Sequence, residues 1–166
     1  MRGPYLFPML QGQTVKALRI CDSASNGLLI RKQSGHAHFG AVALECERHA
    51  LMCYCPLRYL LYPHGSVFDW FGGAQAALPF RASVCEACDL DDWLPITAGA
   101  HWSHHFDPEL PIRGDVLMEP PQLVRDSQAI EWQLELRFST GRCFSLSQID
   151  ECNRLLLAPV EVGNVV

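Results

Sequence analysis

Eight cysteines fall within 166 residues, and four of them form two close pairs, Cys53-Tyr-Cys55 and Cys85-Glu-Ala-Cys88. No other feature restricts the fold so much. In an oxidising compartment an even cysteine count suggests a disulfide framework, whereas in a reducing one clustered thiols more often bind metal. The opening MRGPYLFPMLQGQTVK has no uninterrupted apolar stretch of the kind a secretory signal carries, and no apolar run approaches the roughly 20 residues of a transmembrane helix. A cytoplasmic chain without a membrane anchor is therefore the expectation, and metal the expected use of the thiols. Zinc takes four ligands in a tetrahedron, and two short thiolate knuckles joined by a loop meet that demand. Cys53, Cys55, Cys85 and Cys88 are the expected ligand set, closing the ends of the insert at residues 56–84, with Cys46 or His64 as substitutes. The competing reading is that these residues are small buried hydrophobes, as free cysteine often is.

The rest of the chain predicts a single α+β domain over residues 1–166, with a zinc-finger-like segment at 46–90. In IEWQLELRFS, Ile130, Trp132, Leu134, Leu136 and Phe138 alternate with polar residues, the pattern of a half-buried strand. Ser139-Thr140-Gly141-Arg142 reads as a tight turn into an antiparallel partner that carries Phe144 and Leu146 inward. Ser147 and Asp150 resemble a capping box, and Ile149, Cys152, Leu155 and Leu156 follow at helical spacing until Pro159, which predicts a C-terminal helix. Residues 14–21 and 28–32 read as a hairpin, 36–45 as a third strand, and Pro56 as the start of a short helix. The stretch from 89 to 121 is rich in Pro and Asp and reads as irregular. The sum is a small antiparallel sheet, a C-terminal helix and a zinc-stapled middle.

Charge is uneven. Residues 1–58 hold seven cations against three anions, and the remainder holds six against fifteen. A basic N-terminal third can contact phosphate by releasing counterions, and eleven of the thirteen cations are Arg, whose planar fork suits phosphate and base edges. Arg19, Arg31, Lys32, Arg48 and Arg58 are the candidate nucleic-acid contacts. The acidic remainder equally suits a protein-protein adaptor, an inhibitor or an immunity protein.

The run from Cys53 to Cys88 resembles the zinc-finger segment of the large-subunit family of type IV CRISPR effector complexes. There a cysteine pair precedes a Phe-x-Asp-Trp-like stretch and a Val-Cys-x-x-Cys closes it. The matching elements here are Cys53 and Cys55, then Phe68, Asp69 and Trp70, then Val84, Cys85 and Cys88. The resemblance implies a zinc-binding, non-catalytic subunit of an antiviral guide-RNA complex, contacting partner subunits and RNA or DNA, in a class where protein reads a short duplex motif and base pairing reads the rest.

Histidines offer an enzymatic alternative. His101, His104 and His105 with Asp107 supply three imidazoles and a carboxylate, enough for a catalytic metal site, although Pro108 and Pro111 place them in a loop. His36 and His38 open an apolar strand and could activate Cys143 or Cys46 in a Cys/His hydrolase, given a lowered thiol pKa. The expectation is nevertheless a protein that binds and does not catalyse.

Overall fold

The computed structural model describes residues 2–22, 37–39, 41–54, 60–61, 78, 80–92, 94–95, 101–105, 113–125, 132–149 and 154–160. Among them the regular structure is antiparallel strand, with two short 3-10 turns at Pro8–Leu10 and Ala87–Asp92. A six-stranded sheet runs in the order β1 (Arg2–Tyr5), β10 (Gln122–Val124), β11 (Gln133–Arg137), β12 (Cys143–Ile149), β13 (Arg154–Pro159) and β3 (Ala37–Phe39). A five-stranded sheet runs β7 (Arg81–Glu86), β5 (His49–Tyr54), β4 (Ala41–Cys46), β2 (Val15–Asp22) and β9 (His101–His105). Two residues each of β6 (Leu60–Leu61) and β8 (Leu94–Pro95) make a separate ribbon.

One apolar cluster fills the space between the two sheets. Leu134, Leu136, Phe138, Phe144, Leu146, Leu155 and Leu157 enter it from the six-stranded sheet, and Leu18, Val42, Leu44, Leu51, Cys53 and Ala82 from the five-stranded one. Side chains in a strand alternate between faces, so period-two hydrophobicity on both sheets aims both sets at a shared interior. Phe138 and Phe144 meet edge to face there, their centroids 5.9 Å apart. The chain is therefore a β-sandwich and not the α+β domain expected from its sequence.

The alternation read in IEWQLELRFS is real over the described part. Leu134 and Leu136 are buried in β11 and pair with Leu146 and Phe144 of β12. Gly141, with φ of 85°, supplies the left-handed residue that the turn between them needs. The expected C-terminal helix is absent. Ser147 lies inside β12, and Arg154–Pro159 is β13, paired along its length with β12 and at its far side with β3. Leu155, Leu156 and Leu157 fit either period when read alone. The free strand partner on each side decides in favour of period two, turning Leu155 and Leu157 inward and Leu156 the other way. Asp150 and Cys152 lie outside the described residues.

Other expectations are corrected by pairing. Residues 15–22 do form a strand, but it pairs with β4 and β9; its expected partner at 28–32 lies outside the described residues. The expected strand at 36–45 is split, β3 joining one sheet and β4 the other. The histidine segment expected in a loop is β9, with His104 opposite Arg19 and His101 opposite Asp22. Of the helix expected after Pro56, only Leu60–Leu61 is described, and it is extended.

The N-terminal segment links the sheets. Backbone hydrogen bonds from Leu6 to Pro121, Gly12 to Leu117 and Val15 to Asp115 tie it to the stretch that leads into β10. A register shift between Val15 and Ala17 marks a bulge, which lets both Val15 and Leu18 face the interior. Gln13 is buried, and all of its amide's hydrogen-bonding capacity is used. Its Oε1 accepts from the backbone N–H groups of Arg48 and His49, both at 3.0 Å, while its Nε2 donates to Met9 O and to His49 Nδ1, both at 2.7 Å. One side chain thus fastens the 3-10 turn Pro8–Leu10 to the β4–β5 hairpin.

Two stability outcomes follow from this packing. Leu155→Ala should cost about 2–5 kcal/mol in urea unfolding and Leu156→Ala about 1 kcal/mol or less, a contrast that a helix burying both would not give. Gln13→Ala should cost about 1–3 kcal/mol by the same measurement, because it removes the buried acceptor of the Arg48 and His49 N–H groups at the hairpin turn.

Candidate functional site

Of the cysteines that suggested zinc, Cys53 lies in β5 and Cys85 in the neighbouring β7. β5 and β7 are antiparallel, with Cys53 opposite Ala82 and Cys85 opposite Ala50. Residues 82 and 85 are an odd number apart, so Cys53 and Cys85 project from opposite faces of the sheet. Burial agrees with this. Cys53 is 1% exposed inside the core, level with Ala82 and Val84, whereas Cys85 is half-buried on the outer face, its Sγ 3.9 Å from Met52 Sδ. Ligands of a single zinc must bring their sulfurs to about 2.3 Å from it, and a sheet cannot pass an ion between its faces. Cys53 and Cys85 do not share a metal in this fold.

The remaining candidates do not repair the set. Cys46 faces the interior as Cys53 does, but Cys53 sits opposite Val42, four residues along β4 from Cys46. That offset is roughly 13 Å. Cys55 and His64 lie outside the described residues. Cys88 is exposed in the 3-10 turn Ala87–Asp92, with Glu86 Oε2 and Asp89 Oδ1 each 3.8 Å from its sulfur. Those three side chains bring their donor atoms within 4.8 Å of one another.

The same turn covers the outer face of the five-stranded sheet. Leu90 is fully buried, and Asp91 accepts a 2.6 Å hydrogen bond from Arg19 Nη2. Arg19 is only 9% exposed and also reaches Glu45 at 3.5 Å. Its charge is thereby paired with the exposed Asp91 and the partly buried Glu45, so of the five cations expected at nucleic acid Arg19 is not offered to solvent. Arg48 is exposed at the β4–β5 turn. Arg31, Lys32 and Arg58 lie outside the described residues.

Thiol chemistry follows from burial. Desolvation, aided by Glu45 and Glu47, pushes the Cys46 thiol up to about 12. Desolvation and the charge of Asp89 push Cys85 up to about 12. Cys143 is held at about 11 by desolvation and by Glu135 on the adjacent strand. The exposed Cys88 is raised by the neighbouring carboxylate of Asp89. A thiolate nucleophile needs the opposite surroundings, an imidazolium, a helix N-terminus or a metal. Cys143 faces the polar outer side of the six-stranded sheet, opposite Arg137 in register. His38 is in β3 at that sheet's edge, opposite Leu156, with β13 standing between it and β12. His36 lies outside the described residues.

Sequence reasoning missed the buried polar groups, Gln13, Asp115 and Glu135. Asp115 accepts from Arg142 Nη1 at 3.2 Å and from the Thr140 hydroxyl at 3.5 Å, while Glu135 accepts from Arg137 Nε at 2.6 Å. No local motif marks such residues, because their partners are brought by tertiary contact. Compared with known proteins, the chain matches no family model, no curated protein and no solved structure.

Two measurements check the thiol assignments. Alkylation of the native protein at neutral pH should label Cys88 first and leave Cys46, Cys53 and Cys143 protected until denaturant is added, as peptide mass mapping would show. Stability should also fall in alkali. A thiol raised above its ordinary value of 9.0 stabilises the fold fully below that value, and the contribution disappears as pH climbs to about 11 for Cys143 and about 12 for Cys46 and Cys85. Urea midpoints should therefore be flat with respect to these groups up to about pH 9 and decline above it.

Proposed function

We propose that the chain works by binding, as a non-catalytic subunit of a larger assembly, in contact with protein partners and with nucleic acid. The observation that carries this reading is the state of the thiols. Cys143 and Cys46, the nucleophiles that a Cys/His hydrolase would need, are both held protonated well above neutral pH by burial and nearby carboxylates. A protonated thiol in such a setting is a packing group. The exposed large hydrophobics support a protein-contact role. Tyr5, Met9 and Met118 all lie near the junction of the N-terminal segment with residues 117–119, where Gln11 Nε2 donates to Met118 O and the Tyr5 hydroxyl to Glu119. Met is well suited to such contacts because its thioether adapts to irregular surfaces.

The nucleic-acid arm of the proposal rests on Arg48 among the described residues, together with Arg31, Lys32 and Arg58 from the sequence. Arg19 is not part of it. Nor is one zinc ion held by all of Cys53, Cys55, Cys85 and Cys88, because two of those thiols face opposite ways. The guide-RNA assembly implied by the resemblance at residues 53–88 is the class of partner to test first.

The test combines a reactivity probe with a binding titration. A thiol-directed vinyl sulfone should leave Cys46 and Cys143 unmodified at neutral pH, and stoichiometric labelling at either would overturn the non-catalytic reading. Mixed-sequence duplex DNA, followed by fluorescence anisotropy between about 50 and 200 mM salt, should lose affinity at least tenfold, with Arg48→Ala flattening the slope by about one counterion. Absence of binding at the lower salt would remove nucleic acid from the proposal and leave the protein partner, which native mass measurement of the chain isolated from its host would reveal.

A further inference from the structure

No further inference is drawn: the strongest candidate, the exposed side-chain cluster of Glu86, Cys88 and Asp89 where β7 runs into its 3-10 turn, brings three donor atoms within 4.8 Å of one another but consists of two surface carboxylates beside one thiol, with no second observation among the described residues that points to a ligand.

Discussion

Burial of apolar side chains between two antiparallel sheets organises this molecule. Each sheet alone would leave an entire face of Leu, Phe and Val in water, and removing such a face is worth about 1.5–3 kcal/mol per large side chain. The core draws on residues from Leu6 to Leu157, so the central strands of both sheets need one another. The chain crosses between sheets several times, from β1 to β2, from β3 to β4 and from β9 to β10. Those crossings make the interior one unit, in which contacts distant in sequence dominate and no short segment holds its shape independently.

The cysteines take their places within that plan. The segments around Cys53 and Cys85 do come together, as the spacing of the two pairs suggested. What joins them is the backbone ladder of β5 and β7, with Leu51 opposite Val84 and Cys53 opposite Ala82. A cysteine between two sheets fills the volume of a small hydrophobe, and its thiol is neutral under ordinary conditions for the same reason it is buried. Chemical reactivity and structural packing are thus alternatives for a cysteine, decided by burial, which holds the thiol neutral both at Cys46 in the core and at Cys143 on an outer face. One residue of register separates a core thiol at Cys53 from a surface setting, and the spacing of cysteines along the chain carries no information about that register.

Legibility in the sequence followed the same logic. The strand at Leu134–Phe138, its turn at Gly141 and the partner carrying Phe144 and Leu146 were readable because alternation and turn chemistry are local. The last strand reads as a helix in sequence because Leu155, Leu156 and Leu157 form a continuous apolar run that satisfies two periods, and only the neighbouring strands choose between them. The nearby prolines make the histidines of β9 read as a loop, while the hydrogen-bonding partner that makes them a strand, β2, lies some eighty residues earlier. Arg19 reads as a candidate nucleic-acid contact since nothing near it in sequence announces Asp91. Charge counts locate basic stretches of chain, but the pairing of a buried guanidinium with a carboxylate distant in sequence is settled in three dimensions. Function was the least legible part: whether a cysteine is buried decides its use as a nucleophile, and spacing alone does not reveal that burial.

The central claim is that β5 and β7 lie side by side with Cys53 facing in and Cys85 facing out, and solution NMR on labelled protein tests it most directly. Cross-strand contacts should join Cys53 to Ala82 and Ala50 to Cys85, remain after dialysis against a chelator, and accompany Cβ shifts of reduced, metal-free cysteine at both thiols. Loss of those contacts on chelation, with Cys53 and Cys85 showing the shifts of zinc thiolates beforehand, would contradict the sandwich and restore a metal-held middle.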